Sequence, residues 1–110
     1  MDENNKQFTV VEEGHVYAVH SVEMGAESAQ RLVFIKKEVD DATNTLALVH
    51  DGVTNEAVLE VLIDRLTYLN GKMPSEHNEV AIDRLNDALR ALNMRTAERV
   101  ERGVEGTHTA

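Results

Sequence analysis

The sequence predicts an α+β fold: a small N-terminal antiparallel β-sheet of three to four strands over residues 8–50, then a C-terminal antiparallel helical hairpin over 54–103 with a long overhanging second helix. Three observations predict it. Stretches rich in β-branched residues recur about every ten residues through the first half. Apolar residues at helical spacing, with capping residues before them, fill the second half. Finally, the apolar stripe of the last helix, Ala81, Leu85, Ala88 and Leu92, runs on into Arg95, Arg99 and Arg102.

Strands are expected at Phe8–Val11, His15–Val22, Gln30–Lys37 and Thr45–His50, with apolar alternation at Val16 and Ala18. Glu13-Gly14, Gly25 to Ser28 and Asp40 to Asn44 are the turn signals between them. These connections are too short for a parallel crossover, which takes about a dozen residues, so an antiparallel meander is expected. The first helix is expected from Asn55 to Leu69, capped by Thr54, with Glu56 in its first turn and Val58, Leu62, Leu66 and Leu69 on one face. Asn70-Gly71 should end it, Pro74 should block continuation, and Ser75 should cap a second helix from Glu76 to Arg102, stopped by Gly103. The second helix should outrun the first by about a dozen residues, roughly 18 Å. Residues 104–110 form a short tail.

At 110 residues one domain, 1–110, is expected, and one core is within reach. Hydrophobic residues are 42% of the chain but aromatics only 4%, so that core must be aliphatic. With 20 acidic against 11 basic residues the net charge of -9 repels DNA and anionic membrane surfaces. No cysteine is present for a disulfide or a thiolate metal site. Met1 to Gln7 lacks the apolar run of a signal peptide, and no stretch approaches the roughly 20 apolar residues of a membrane span. A soluble, intracellular protein is expected.

The arginines carry the strongest chemical signal. Arg99 lies about 20° from Leu92 around the helix axis and Arg95 about 60°, so a core-facing stripe becomes cationic. At i, i+4 and i+7, Arg95, Arg99 and Arg102 can converge on one anion with forked hydrogen bonds. The alternative is an ordinary complement to the helix dipole, paired with Glu98 and Glu101. Arg102 to Thr107, with Gly103 and Gly106, can present backbone N–H groups to a phosphate, though Gly103 is equally a helix stop. Asp51 to Asn55 leads into a helix N-terminus and reads either as an anion site or as turn plus cap. Tyr68 sits on the shoulder of its stripe, as a half-buried tyrosine or a base-stacking platform would. Asn78 suits a cap. His15, His20, His50, His77 and His108 show no paired metal spacing. No nucleophile has a plausible base, so neither a catalytic nor a metal site is expected, and no cofactor.

Asp51-Gly52-x-Thr54-Asn55-Glu56, Val58-Leu59-x-Val61-Leu62-Ile63-x-Arg65-Leu66, Arg95-Thr96-Ala97-Glu98-Arg99 and Arg102-Gly103-Val104-Glu105-Gly106-Thr107-His108 together resemble the phage Thoeris anti-defence (Tad) proteins, whose helical hairpin is shared with the phage anti-CBASS cyclic-nucleotide sponge. The resemblance covers residues 50 to 108 and rests on layout alone over the strands. It implies a non-enzymatic sponge that sequesters a small cyclic nucleotide signal, a cyclic ADP-ribose isomer such as glycocyclic ADP-ribose, in the cytoplasm of an infected bacterial host. It further implies a ligand cleft between protomers, with Tyr68 against the adenine, Asn78 nearby, and Arg95 and Arg99 on the phosphates. Arg102, Gly103, Gly106 and Thr107 are candidates for additional phosphate contacts. Some relatives also bind cyclic oligonucleotides in a larger assembly, so a homodimer or a hexamer is implied.

One geometric argument supports such a cleft. Asn78 and Arg99, 21 residues apart, are separated by roughly 30 Å of helix, about three times the width of an ADP-ribose macrocycle. Two hairpins packed antiparallel would bring the arginine end of one to the Tyr68 end of the other, twice over by symmetry. Two other classes compete: an interaction module that docks an acidic partner through the long helix, and a hydrolase that destroys the signal, which lacks residues to carry it.

Overall fold

The computed structural model describes residues 6–101. It has five strands and two helices in the order β1 (Phe8–Glu12), β2 (Val16–Ser21), β3 (Gly25–Val33), β4 (Lys36–Asp40), β5 (Thr45–His50), α1 (Asn55–Lys72) and α2 (Glu76–Glu101). The α+β class and the helical hairpin are as expected, and the strands resolve into a three-stranded sheet, β1-β2-β3, and a two-stranded ribbon, β4-β5. The described residues form two compact units, described separately: residues 6–38 with Leu48–Val53, and Val39–Ala47 with residues 54–101.

In the first unit β1 and β3 flank β2, both antiparallel to it. The β1–β2 turn closes through His15 N–H to the Glu12 carbonyl at 3.0 Å. Gly14 at φ 76° supplies the left-handed residue that this turn requires. The next turn differs from expectation. Val22 to Met24 form it and Gly25, at φ 59°, opens β3, so residues 25–28 are strand rather than turn. The expected strand Gln30–Lys37 is likewise two strands. Phe34 and Ile35 leave the meander because Val53 pairs beside them: its N–H donates to the Val33 carbonyl at 2.8 Å and its carbonyl accepts from Ile35 N–H at 3.0 Å. This isolated parallel bridge, Phe34 to Val53, ties the end of the strand half back to its middle. Gly52 is required there, since a Cβ would lie 2.5 Å from the Val33 oxygen.

Val16, 7% exposed, is the one buried residue among those described. The rings of Phe8, Tyr17 and Phe34 form an edge-to-face row, with centroids 5.8 and 5.9 Å apart. Three of the four aromatics thus serve packing, where edge-to-face geometry adds to their burial.

The second unit is dominated by the helical hairpin. Thr54 caps α1 as expected, its Oγ1 accepting from Ala57 N–H at 3.1 Å. Ser75 caps α2, its Oγ accepting from the His77 and Asn78 N–H groups. α1 does not stop at Leu69; it runs through Asn70 and Gly71 to Lys72. Met73 N–H still reaches the Leu69 carbonyl at 2.9 Å, and Pro74 then ends the helix. Asn70 bridges the connection instead of terminating α1, its Oδ1 accepting from Ser75 N–H at 2.8 Å. Val58, Ile63 and Leu66 of α1 and Ala81, Leu85, Leu89 and Leu92 of α2 are half-buried, whereas Leu62, Leu69 and Ala88 of the expected stripes are exposed. Among the described residues neither helix has a fully buried side chain.

Candidate functional site

Helix lengths place the candidate residues. Over the described residues α1 has 18 residues and α2 has 26, a difference of eight against the expected dozen; three of the four residues between these figures are the extension of α1 to Lys72, and the fourth is Arg102, which lies outside the described residues. Across the short connection Asn55 faces the region of Asn93, so α2 projects beyond α1 by roughly 12 Å. Arg95 and Arg99 both stand on this projection.

The arginines of α2 differ in their surroundings. Arg84 and Arg90 share Asp87, at 3.0 and 3.2 Å and at i±3 spacing. Arg95 is exposed and makes no ion pair among the described residues, while Arg99 is half-buried. They are four residues apart, so both lie on neighbouring positions of one face. Arg102, Gly103, Gly106 and Thr107 lie outside the described residues, as do the expected helix stop and the tail.

Tyr68 and Asn78 lie at the opposite, connected end of the hairpin. Tyr68 stands in the last turns of α1, 63% exposed, more open than the half-buried shoulder its spacing predicts. It belongs to a shallow groove along α1 that also includes Glu60, Val61, Asp64 and Arg65. Lys72, one turn on, lies over its ring with Nζ 5.5 Å from the centroid. Asn78 is half-buried in the first turn of α2, its backbone N–H donating to the Ser75 Oγ at 3.4 Å. The fold therefore brings Tyr68 to the end that holds Asn78, and Arg95 to the end that holds Arg99. The two pairs remain about 30 Å apart along α2, too far for one small ligand to touch all four residues of a single chain.

A second cluster, not anticipated as one, occupies the first unit. Glu12 Oε1 accepts from Lys36 Nζ at 2.5 Å, and Glu12 Oε2 is 3.5 Å from His50 Nε2. The His15 and His50 rings meet edge-on at 6.4 Å. The hydrogen bond from Lys36 holds the Glu12 carboxyl below its usual range, and Glu12 raises the Lys36 ammonium in turn. These residues join three strands of different sequence position, so no spacing announces them. Among the described residues no group of three histidine or acidic side chains is placed to hold a metal ion, and no helix is long and apolar enough to cross a membrane.

No family model matches the chain. It is similar to the curated protein "Thoeris anti-defense 1" of Bacillus phage SBSphiJ7, 49% identical over 59 residues. That segment is 53% of this chain and 42% of the relative, so the match spans less than half of the relative's length.

Proposed function

We propose that this chain, which resembles the Thoeris anti-defence (Tad) family through that segment, belongs to it and is a phage anti-defence sponge. It binds a cyclic ADP-ribose-type immune signal, glycocyclic ADP-ribose, in the cytoplasm of the infected bacterium and holds it intact, so the Thoeris effector is never switched on. No bond is made or broken in this reading, and the protein is not an enzyme.

One observation carries the proposal. α2 presents Arg95 and Arg99 on a projection beyond α1, with the exposed Tyr68 and the half-buried Asn78 at the other end of the hairpin. Two copies packed antiparallel complete two equivalent sites, each taking the arginines from one chain and the tyrosine and asparagine from its partner. The absence of any fully buried residue in the described helices supports such pairing, because apolar surface such as Val61 and Met94, 67% and 65% exposed, is left to cover. A homodimer is the smallest assembly that completes the site, and a hexamer would repeat it. The guanidinium groups supply forked, charge-assisted bonds to the pyrophosphate. The stacked ring contributes about 1 to 3 kcal/mol.

The test is retention. The purified protein is incubated with cyclic ADP-ribose isomers, freed of unbound ligand and denatured, and the released material is identified by chromatography and mass. Intact glycocyclic ADP-ribose in stoichiometric amount is expected, with loss of retention in Arg99→Ala. A degraded product would replace the sponge with an enzyme. Failure to retain any isomer would remove this ligand class, leaving the CBASS cyclic oligonucleotides as the second class to load and an interaction module docking an acidic partner as the remaining reading.

A further inference from the structure

Of all the described cations, Lys72 alone lies over the ring offered to the base. Its Nζ stands 5.5 Å from the Tyr68 centroid, at i+4 on the same helix, and it makes no ion pair among the described residues. An ammonium over an exposed ring is held weakly, and its four-carbon stem lets it swing aside while the ring stays in place.

We infer that Lys72 is a further ligand-binding residue of this site: it yields the Tyr68 face to the purine and then pairs with the ligand's phosphate. The inference rests on the sponge reading above. Electrostatics along α1 gives the ligand a direction. On the N-terminal side of Tyr68 the groove carries Glu60 and Asp64, with Arg65 offsetting only one of the two. Phosphates are repelled there. On the C-terminal side stands Lys72, one turn away with its Nζ over the ring, and the acidic Glu76 and Glu79 come only beyond the connection Met73 to Ser75, in the first turn of α2. The purine therefore lies on Tyr68 with the anionic part of the molecule turned toward Lys72 and the hairpin connection. The ammonium acts as a compact, mobile point charge rather than as a fork.

The experiment compares the full chain with Lys72→Met and Lys72→Arg by titration calorimetry, using glycocyclic ADP-ribose and uncharged adenosine at low and high salt. Lys72→Met should weaken glycocyclic ADP-ribose about tenfold at low salt, by a smaller factor at high salt where charges are screened. Adenosine binding should be unchanged or tighter, since the cation that competes for the ring is gone. Lys72→Arg should restore affinity for the charged ligand. Lys72 is surface-exposed, and matching circular dichroism spectra would show that the variants fold. Equal affinity of Lys72→Met and the parent for glycocyclic ADP-ribose, or an equal loss for both ligands, would overturn the role of Lys72 and leave the sponge standing. A parent chain that binds neither ligand would overturn both.

Discussion

Replacing Gly52 by alanine should destabilise the first unit by about 2 to 4 kcal/mol. A Cβ at this position would stand 2.5 Å from the Val33 oxygen, 2.6 Å from the Phe34 carbonyl carbon and 2.7 Å from the Ile35 nitrogen. All three are backbone atoms, so no flexible side chain can turn away. Ordinary contact begins at 3.4 Å, so the two segments must part by about 0.7 to 0.9 Å. That movement carries the Val53-to-Val33 and Ile35-to-Val53 hydrogen bonds, now 2.8 and 3.0 Å, beyond 3.5 Å. Two backbone bonds at about 0.5 to 1.5 kcal/mol each, plus strain, outweigh the roughly 0.4 to 1 kcal/mol that alanine recovers through the unfolded chain. The assay is thermal unfolding followed by far-UV circular dichroism at one protein concentration, with a fall in Tm of about 8 °C or more expected. Gly71→Ala is the internal control: its Cβ meets nothing within 4 Å and it lies inside α1, so its Tm should hold or rise. A Gly52→Ala chain melting within about 2 °C of the parent would refute the close-approach argument.

Thr54→Ala removes the oxygen that satisfies Ala57 N–H and should cost about 1 kcal/mol, a fall in Tm of roughly 5 °C; Thr54→Ser should recover most of it. Glu12→Gln should lower Tm slightly at neutral pH and not in acid. The folded Glu12 carboxyl is held below its usual 4.5, so its contribution is present above that value and disappears as pH falls through the lowered one. The Lys36 contribution has the opposite sign, full below the usual 10.5 and lost as pH rises through its raised value. Melting curves of parent and Glu12→Gln that stay equally far apart at neutral pH and well below 4.5 would remove the ion pair as the cause.

What could be read from the sequence was what is decided locally. Thr54, Ser75 and Pro74 act within a few residues of themselves: the two caps start the helices where expected and Pro74 blocks continuation of α1, three residues past its expected end. Asn70-Gly71 misled because its usual meaning, a helix stop, gave way to a hydrogen bond from Ser75 across the connection. The division between β3 and β4 was hidden for a different reason, since it depends on Val53, some twenty residues later in the chain. At the candidate site, Arg95 and Tyr68 stood out because each departs from an apolar stripe. Lys72 did not, because a lysine in the last turn of a helix already has an ordinary explanation in the helix dipole. Only its i+4 spacing from Tyr68 could have singled it out.

The bridge between Phe34 and Val53 also orders events during synthesis. The hairpin pairs neighbouring segments, and such local structure closes early once its residues exist. The strand unit is different: its edge waits for Leu48–Val53, so β1 to β3 leave the ribosome before the segment that completes them. At about 5 to 20 residues per second, the gap between Val33 and Val53 lasts on the order of seconds. For that interval the Val33 carbonyl and the Ile35 N–H, at the end of β3, wait without Val53 and are open to pairing with another nascent chain.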